Sequence, residues 1–348
     1  MSKTTTKKVR VGVVGLGMGR HHVKMYQQHP RCEMVAICDV DESRLAAAAK
    51  ELNVPRTFTD PRKLFASGEV DAVSIATPNT LHAPLTIAAL KAGLHVLCEK
   101  PMAMNAGEAR RMVAAAKQAK KKLAMHFNHR ANPGVQWIAR AAAAGELGEI
   151  YFARTIWHRR RGIPGRASFL DKSFSGGGAM IDLGVHMLDQ TLYIMGYPKV
   201  VSVTAATHTK FDKKDVPTIP MSVDDFATAY VRFANGATLA MEISWASHHN
   251  HAEQFLVQVY GTEGGARRLS ENYQEVAAEI HRRAHGGLAT TRMDAAPRDI
   301  TSVQADFIDA ILDNRDPAYS GEKHGLVTMQ ILDAIYQSSR TGKEVRVK

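Results

Sequence analysis

Three groups of residues in this chain have types and spacings that could do chemistry. The first is Asp182-Leu-Gly-Val-His186. Four positions apart on a helix, the carboxylate and the imidazole share one face, a turn apart, with Asp189 near the same face. An imidazole whose ordinary pKa is near ~6.5 suits removal of a hydroxyl proton, although such an acid–His pair is also a common solvated helix face. The second is Cys98-Glu99-Lys100-Pro101. It ends an apolar run and sets an ammonium at a strand end, as a reactive cation or as half of a surface ion pair.

The third is Val9-Arg-Val-Gly-Val-Val-Gly15-Leu-Gly17-Met18-Gly19-Arg20, a strand feeding a glycine turn that opens a helix. Glycines there allow the backbone to approach a pyrophosphate, and the helix start supplies N–H groups and a partial positive charge. The spacing departs from G-x-G-x-x-G: the third glycine would fall at Arg20, and Gly19 comes one residue early. Asp39 ends the next strand, 24 residues after Gly15. An acid at that point accepts hydrogen bonds from ribose hydroxyls and favours NAD over NADP, while Arg44 nearby argues the other way. The plainer alternative is an ordinary strand–helix turn with Asp39 as a helix cap.

Elements must carry these groups. Short apolar runs at Val9–Gly15, Glu33–Cys38, Asp71–Ala76, Leu94–Cys98 and Leu123–His126 alternate with helix-like segments at Gly19–His29, Asp41–Leu52, Leu81–Ala92 and Asn105–Lys120. That alternation predicts a doubly wound parallel sheet over residues 1–128. Its ligand crevice lies at the carboxyl ends of the strands, so the loop Ala76-Thr77-Pro78-Asn79-Thr80-Leu81-His82 should line it together with Glu99, Lys100 and Pro101. Beyond residue 128 the grammar changes. A helix near Pro133–Ala144, a long strand Ile150–Arg160 and a Gly176-Gly177-Gly178 loop lead into a helix over Ala179–Met195. Strand-like runs follow without intervening helices, with a hairpin signal at Ala234-Asn235-Gly236. Residues 129–348 therefore read as an α+β domain on a mostly antiparallel open sheet, closed by helices near Ser302–Asp313 and Glu322–Arg340. The last of these is expected to pack back on the first domain. Residues 262–299 carry no clear pattern.

Composition bounds the function classes. The chain has 348 residues, 45% hydrophobic and 23% charged, which excludes a mostly disordered protein. The longest stretch lacking Asp, Glu, Lys and Arg, Ala72 to Leu90, contains Pro78, Asn79, His82 and Pro84, so no membrane span is expected. The N-terminus is basic (Lys3, Lys7, Lys8, Arg10) but runs straight into a strand, with no secretory apolar region. Cys32, Cys38 and Cys98 are few and lack metal-type spacing, which fits a reducing compartment, hence the cytoplasm. The net charge of +11 is spread along the chain. Its densest runs, Lys120–Lys122 and Arg159–Arg161, are not interleaved with aromatics, so an anionic cofactor is expected rather than nucleic acid. Trp157, late in the long strand, and Arg161, just past it, could meet a sugar face and its hydroxyl or acidic groups. They could equally form an exposed basic strand end. His248-His249-Asn250-His251 cannot all face one ion from a strand, so a loop near the substrate entrance is expected and no metal.

These motifs together resemble the Gfo/Idh/MocA oxidoreductases. The resemblance rests on the glycine turn, "ATPNTLH" (Ala76–His82), "CEKP" (Cys98–Pro101), Asn128 and Arg130 with Pro133, and "GELGEI" (Gly145–Ile150). It continues through "GGGAMIDLGVHMLD" (Gly176–Asp189), "VYGTEGG" (Val259–Gly265) and "LDAIYQSSRTGKEV" (Leu332–Val345). It implies hydride transfer between NAD, or else NADP, and a secondary hydroxyl or keto group of a sugar, inositol or glycoside. It implies Lys100, Asp182 and His186 as catalytic residues, His186 taking the hydroxyl proton, Lys100 steadying the oxygen and sharing the proton work, and Asp182 orienting substrate or His186. Cofactor contacts are expected from Gly15, Gly17, Met18, Gly19, Asp39, Thr77, Pro78, Asn79, His82, Glu99, Lys100 and Pro101. Substrate contacts are expected from Lys100, Asn128, Arg130, Trp157, Arg161, Asp182 and His186. The family commonly assembles through the open face of its C-terminal sheet, which implies a homodimer or homotetramer. Two other readings remain: a glycosidase that oxidises its substrate transiently on bound NAD, and a non-catalytic ligand sensor, which would not need Lys100 and His186.

Overall fold

The computed structural model describes residues 8–211 and 220–347; Lys3 and Lys7 lie outside them. The chain divides into two units, residues 1–127 with 301–329, and residues 128–300 with 330–348. The first therefore takes back a segment that a single boundary near residue 128 would give to the second. The reason is the helix Val303–Leu312, whose Phe307, Ile308 and Ala310 are buried in packing against strands of the first sheet.

The first unit is built on a six-stranded parallel sheet in the order β3-β2-β1-β4-β5-β6. The strands are β1 Val9–Val14, β2 Cys32–Cys38, β3 Arg56–Phe58, β4 Ala72–Ile75, β5 His95–Glu99 and β6 Leu123–His126. With helices on both faces, central strands must be apolar on both sides, and β4 and β6 are buried at every position. The strand order reverses between β1 and β4, which opens a crevice at their carboxyl ends. Helix α1 (Gly19–Gln27) follows β1, and α2 (Glu42–Leu52) follows β2 with Asp41 accepting the Arg44 amide as its cap. A third helix, α3 (Pro61–Ala66), stands between β3 and β4, α4 (Asn79–Lys91) between β4 and β5, and α5 (Ala106–Ala119) between β5 and β6.

The second unit carries a nine-stranded sheet in the order β14-β13-β12-β11-β7-β10-β9-β8-β15. Its strands are β7 Ile150–Arg159, β8 Val200–His208, β9 Phe226–Phe233, β10 Thr238–Ser244, β11 Glu253–Gly261, β12 Gly264–Glu271, β13 Gln274–Ala284, β14 Gly287–Arg292 and β15 Val345–Arg346. All neighbours are antiparallel except β7 and β10. Gly236, at φ 87°, turns the β9–β10 hairpin. Alternation along β9 and β10 buries Ala229, Val231, Leu239 and Met241 on one face, where β10 meets the turn Met180–Gly184; the helix Val185–Ile194 packs on β7 and β11, and α6 (Pro133–Ala143) on β12 and β13. The long helix expected over Ala179–Met195 begins instead as a π turn, Met180–Gly184, and becomes α-helical at Val185. The unpatterned stretch after residue 261 is the antiparallel run β12–β14.

Cys32, Cys38 and Cys98 are buried and unpaired. Burial pushes each thiol up to about 12.

Candidate functional site

The glycine turn of the first unit is shaped by close contacts. Gly15 has φ 88°, and a β-carbon on it would lie 2.5 Å from the carbonyl oxygen of Ala76, at the neighbouring strand end. Gly19 opens α1 against β1: a β-carbon there would come within 2.8 Å of Val13 Cγ1. Close helix–strand packing is the role assigned to the third glycine of such a turn, so Gly19 supplies it one residue early and the shortened spacing loses nothing on that count. Gly17 is different. Nothing lies within 4 Å of its would-be β-carbon, so the turn presents bare backbone to open space there, beside the exposed Met18.

Asp39, 6% exposed at the end of β2, draws this turn together. Its carboxylate accepts the Leu16 amide at 2.8 Å and the Asp41 amide at 3.0 Å. Arg44, which argued against NAD, lies with its guanidinium 3.2 Å from Asp39 and 3.3 Å from Asp41. In the loop after β4, Thr77 Oγ1 is buried with no hydrogen-bond partner among the described residues, and Pro78 and Asn79 start α4. An orphaned hydroxyl, a bare-backbone glycine and a carboxylate at the second strand end together fit a dinucleotide. Replacing Gly17 by alanine should leave the melting temperature unchanged and weaken NADH binding about tenfold or more, equivalent to about 1.4 kcal/mol. The Gly15→Ala change should destabilise the unit by about 1–3 kcal/mol because its backbone is left-handed. Thermal melts and NADH fluorescence titration separate the two.

Two residues expected at the cofactor face inward. His82 is 1% exposed, its ring nitrogens 2.8 Å from the Thr77 carbonyl and 2.7 Å from that of Pro101. It therefore ties the loop after β4 to the loop after β5, and burial lowers its proton affinity. The Glu99 carboxylate is buried among His22, His126 and the Lys100 amide. It is a bracing group, whereas Lys100 itself starts the cis Lys100–Pro101 peptide at the strand end.

In the second unit, His186 is 6% exposed. Its ring lies 4.4 Å from that of His129 and 6.1 Å from Trp157. Trp157 packs edge-on to Phe255 at 5.2 Å and donates its indole N–H to Glu253 at 2.8 Å. Asp182 sits within the π turn and accepts the Trp245 indole N–H at 3.1 Å. Asp182 and His186 thus belong to one helical element, but the turn between them is wider than the α-helical spacing assumed from sequence.

The helix start is held from outside. No capping side chain precedes it; its amides at Gly178 and Met180 are taken by the Asp224 carboxylate at 2.8 and 2.9 Å, and Tyr336 donates to the same group at 2.8 Å. Burial raises the Asp224 carboxyl despite these bonds. Gly178 must lack a side chain, since a β-carbon would stand 1.8 Å from the Asp224 carbonyl oxygen. Sequence reasoning missed Asp224, Trp245 and His129. The available signal was a helix whose start lacks Ser, Thr, Asn or Asp and so needs a distant acceptor.

Arg130, expected to touch substrate, is 1% exposed. Its guanidinium grips Asp189 and donates to Tyr197 at 2.7 Å. It braces the helix that carries His186. Asn128 lies exposed on the same 3-10 turn. Arg161 is exposed, donating to the Ser247 carbonyl at 3.2 Å over the Phe211 ring.

The first unit, over residues 9–127, matches the family model described as the oxidoreductase family's NAD-binding Rossmann fold, and residues 135–267 match the GFO/IDH/MocA C-terminal domain. The chain is 32% identical over 360 residues to a D-glucoside 3-dehydrogenase of Escherichia coli (strain K12), covering 99% of each. It is 28% identical to a D-apiose dehydrogenase of Paraburkholderia graminis, covering 99% of this chain and 91% of that one. Among solved structures, a levoglucosan dehydrogenase in complex with NADH and levoglucosan superposes with a TM-score of 0.86 at 25% identity, covering 98% of this chain and 100% of the other. With a glycine turn, strand-end acid and imidazole-bearing helix of the forms described above, the chain belongs to the Gfo/Idh/MocA family of oxidoreductases, and its first unit is an NAD-binding Rossmann fold.

Proposed function

We propose that the protein interconverts a secondary hydroxyl and its ketone on a sugar, cyclitol or glycoside, using NAD in preference to NADP. The observation that carries the reading is His186: an almost fully buried imidazole set among His129 and Trp157 on the same helical element as Asp182. Its relatives' names support the substrate class, since they include dehydrogenases of a D-glucoside, of D-apiose and of myo-inositol. The glycine turn, Asp39 and the Thr77 loop would hold the dinucleotide, which when bound supplies the hydride acceptor or donor. His186 takes the hydroxyl proton during oxidation and returns it during reduction. Lys100 donates a hydrogen bond to the same oxygen and stabilises negative charge developing there. Asp182, steadied by the Trp245 indole, orients substrate. Preference for NAD is supported by Arg44, whose charge is already paired with Asp39 and Asp41.

A panel of D-glucosides, aldoses, uronates and inositols, assayed at 340 nm with NAD and NADP separately, tests the reading. The expected result is NADH accumulation with at least one neutral glycoside or polyol, and slower turnover with NADP. Release of aglycone without net NADH would replace it with transient oxidation and elimination, and inertness toward every member would sink it.

Assembly of copies through the outward face of the second sheet is also proposed. That face carries Phe152, Tyr230, Leu256 and Tyr260 around an Arg154–Glu242 pair, large apolar side chains grouped about one ion pair, a mixture that suits a contact between copies. Light scattering behind size exclusion would return a dimer or tetramer; a monomer at micromolar concentration refutes it. No helix among the described residues is long and apolar enough to cross a membrane. The unpaired cysteines support placement in a reducing cytoplasm.

A further inference from the structure

Directly behind Lys100, inside the first unit, three titratable side chains meet: His22 of α1, Glu99 of β5 and His126 of β6, at 0%, 6% and 3% exposure. Their donor atoms lie within 4.8 Å of one another, a gathering that could hold a metal ion. The hydrogen bonds account for it without one. Glu99 Oε1 lies 2.9 Å from His22 Nε2 and 2.8 Å from His126 Nδ1, and a carboxylate only accepts. Both nitrogens therefore carry protons. The other nitrogen of His22 lies 3.1 Å from Ser74 Oγ, which lies 2.8 Å from the Tyr26 hydroxyl. The other nitrogen of His126 lies 3.0 Å from the Gln304 amide nitrogen. Two neutral imidazoles satisfy every partner: Tyr26 donates to Ser74, Ser74 to His22, His22 to Glu99, and from the other side Gln304 to His126 and His126 to Glu99. The remaining carboxylate oxygen accepts the Lys100 amide at 3.0 Å.

We infer that His22, Glu99 and His126 are positioning residues for Lys100: two hydrogen-bond chains run in a single sense to one buried carboxylate, and that carboxylate fixes the backbone from which the lysine side chain departs. The chains draw on α1, β4, β5, β6 and the helix Val303–Leu312, so Lys100 is held through three adjacent strands and two helices. Burial alone would raise the Glu99 carboxyl, but its bonds to His126 and His22 hold it well below the usual range. Burial depresses His22 to about 4, so the sense of the chain survives at neutral pH. The unfolded chain takes up this proton near pH 6.5, its ordinary value. The stabilising contribution is thus complete above that pH and is lost as the pH falls toward about 4.

The inference rests on the proposed role of Lys100, and the test separates the two. The variants are E99Q, H126L, H126N, whose amide can replace the Nδ1 donor, and K100A. The measurements are turnover of the fastest panel sugar, NADH affinity by fluorescence and 15N imidazole shifts of the wild-type protein. E99Q and H126L should lower kcat about tenfold to a hundredfold, with KM and NADH affinity within about threefold and most of the loss restored in H126N. Neither should lower the residual rate of K100A further, as expected of groups acting through it. The wild-type spectrum at pH 7 should show His22 protonated at Nε2 and His126 at Nδ1, a result that needs no variant to fold. The inference is overturned if K100A is inactive while E99Q keeps full turnover, if H126N is as poor as H126L, or if either ring is an imidazolium or metal-bound at pH 7. Full turnover in K100A would instead remove the proposed role of Lys100 itself, and this inference with it.

Discussion

A His186→Asn variant should fold normally and turn over its sugar about two to four orders of magnitude more slowly than the wild type. The helix Val185–Ile194 does not depend on the imidazole for its place. Asp189, on the same helix, is gripped by Arg130 and bonded by Tyr197, and the helix start is held at Gly178 and Met180 by Asp224. Asparagine keeps a polar group but cannot serve as a base near neutral pH. The loss should fall on kcat, with NADH affinity unchanged, because the elements proposed to hold the dinucleotide all lie in the glycine turn and strand-end loops. Turnover within threefold of wild type would end the assignment of His186 as the base.

The Gly178→Ala substitution should be the most damaging single methyl in the second unit. Its β-carbon would stand 1.8 Å from the Asp224 carbonyl oxygen. That oxygen cannot retreat easily: it accepts the Ala179 amide at 2.8 Å, while the Asp224 side chain is held by Gly178, Met180 and Tyr336. Either the backbone moves and the buried carboxylate loses its donors, or the helix start shifts and carries Asp182 with it. A loss above about 3 kcal/mol is expected, in the range reserved for strain and broken buried networks. The melting temperature should drop by roughly 6–12 °C on the usual scaling. Gly165→Ala is the control, since nothing lies within 4 Å of its would-be β-carbon, and its melt should match the wild type. A Gly178→Ala protein melting with the control would show that the Asp224 clamp yields freely.

The parallel sheet was legible because βαβ units write their period twice, in apolar runs and in the helices between them. The omissions have physical reasons. Strand β3 is three residues long, begins with Arg56 and sits at the sheet edge, so it buries too little to leave a pattern. Strands β12 and β13 escaped because their faces are settled partly by ion pairs, Arg268 with Glu275 and Arg267 with Glu279, rather than by alternating apolar residues. The π turn at Met180–Gly184 inserts one residue into a helix without changing which residues are apolar. In the candidate site, the residues proposed to do chemistry (Lys100, Asp182, His186, Asp39) stand out in the sequence through their motifs and the family resemblance these carry. Residues that act by holding others were not. Asp224 reaches its partners from a strand edge, and His22 meets His126 only because α1 and β6 are folded onto one end of the sheet.

The burial of Cys32, Cys38 and Cys98, with thiols held near about 12, has a practical side. A maleimide or iodoacetamide reacts with thiolate, and at neutral pH these sulfurs offer almost none. One cysteine introduced at an exposed position, Leu288 for example at 88% exposure, would be the single point at which a dye attaches, with the native cysteines left in place.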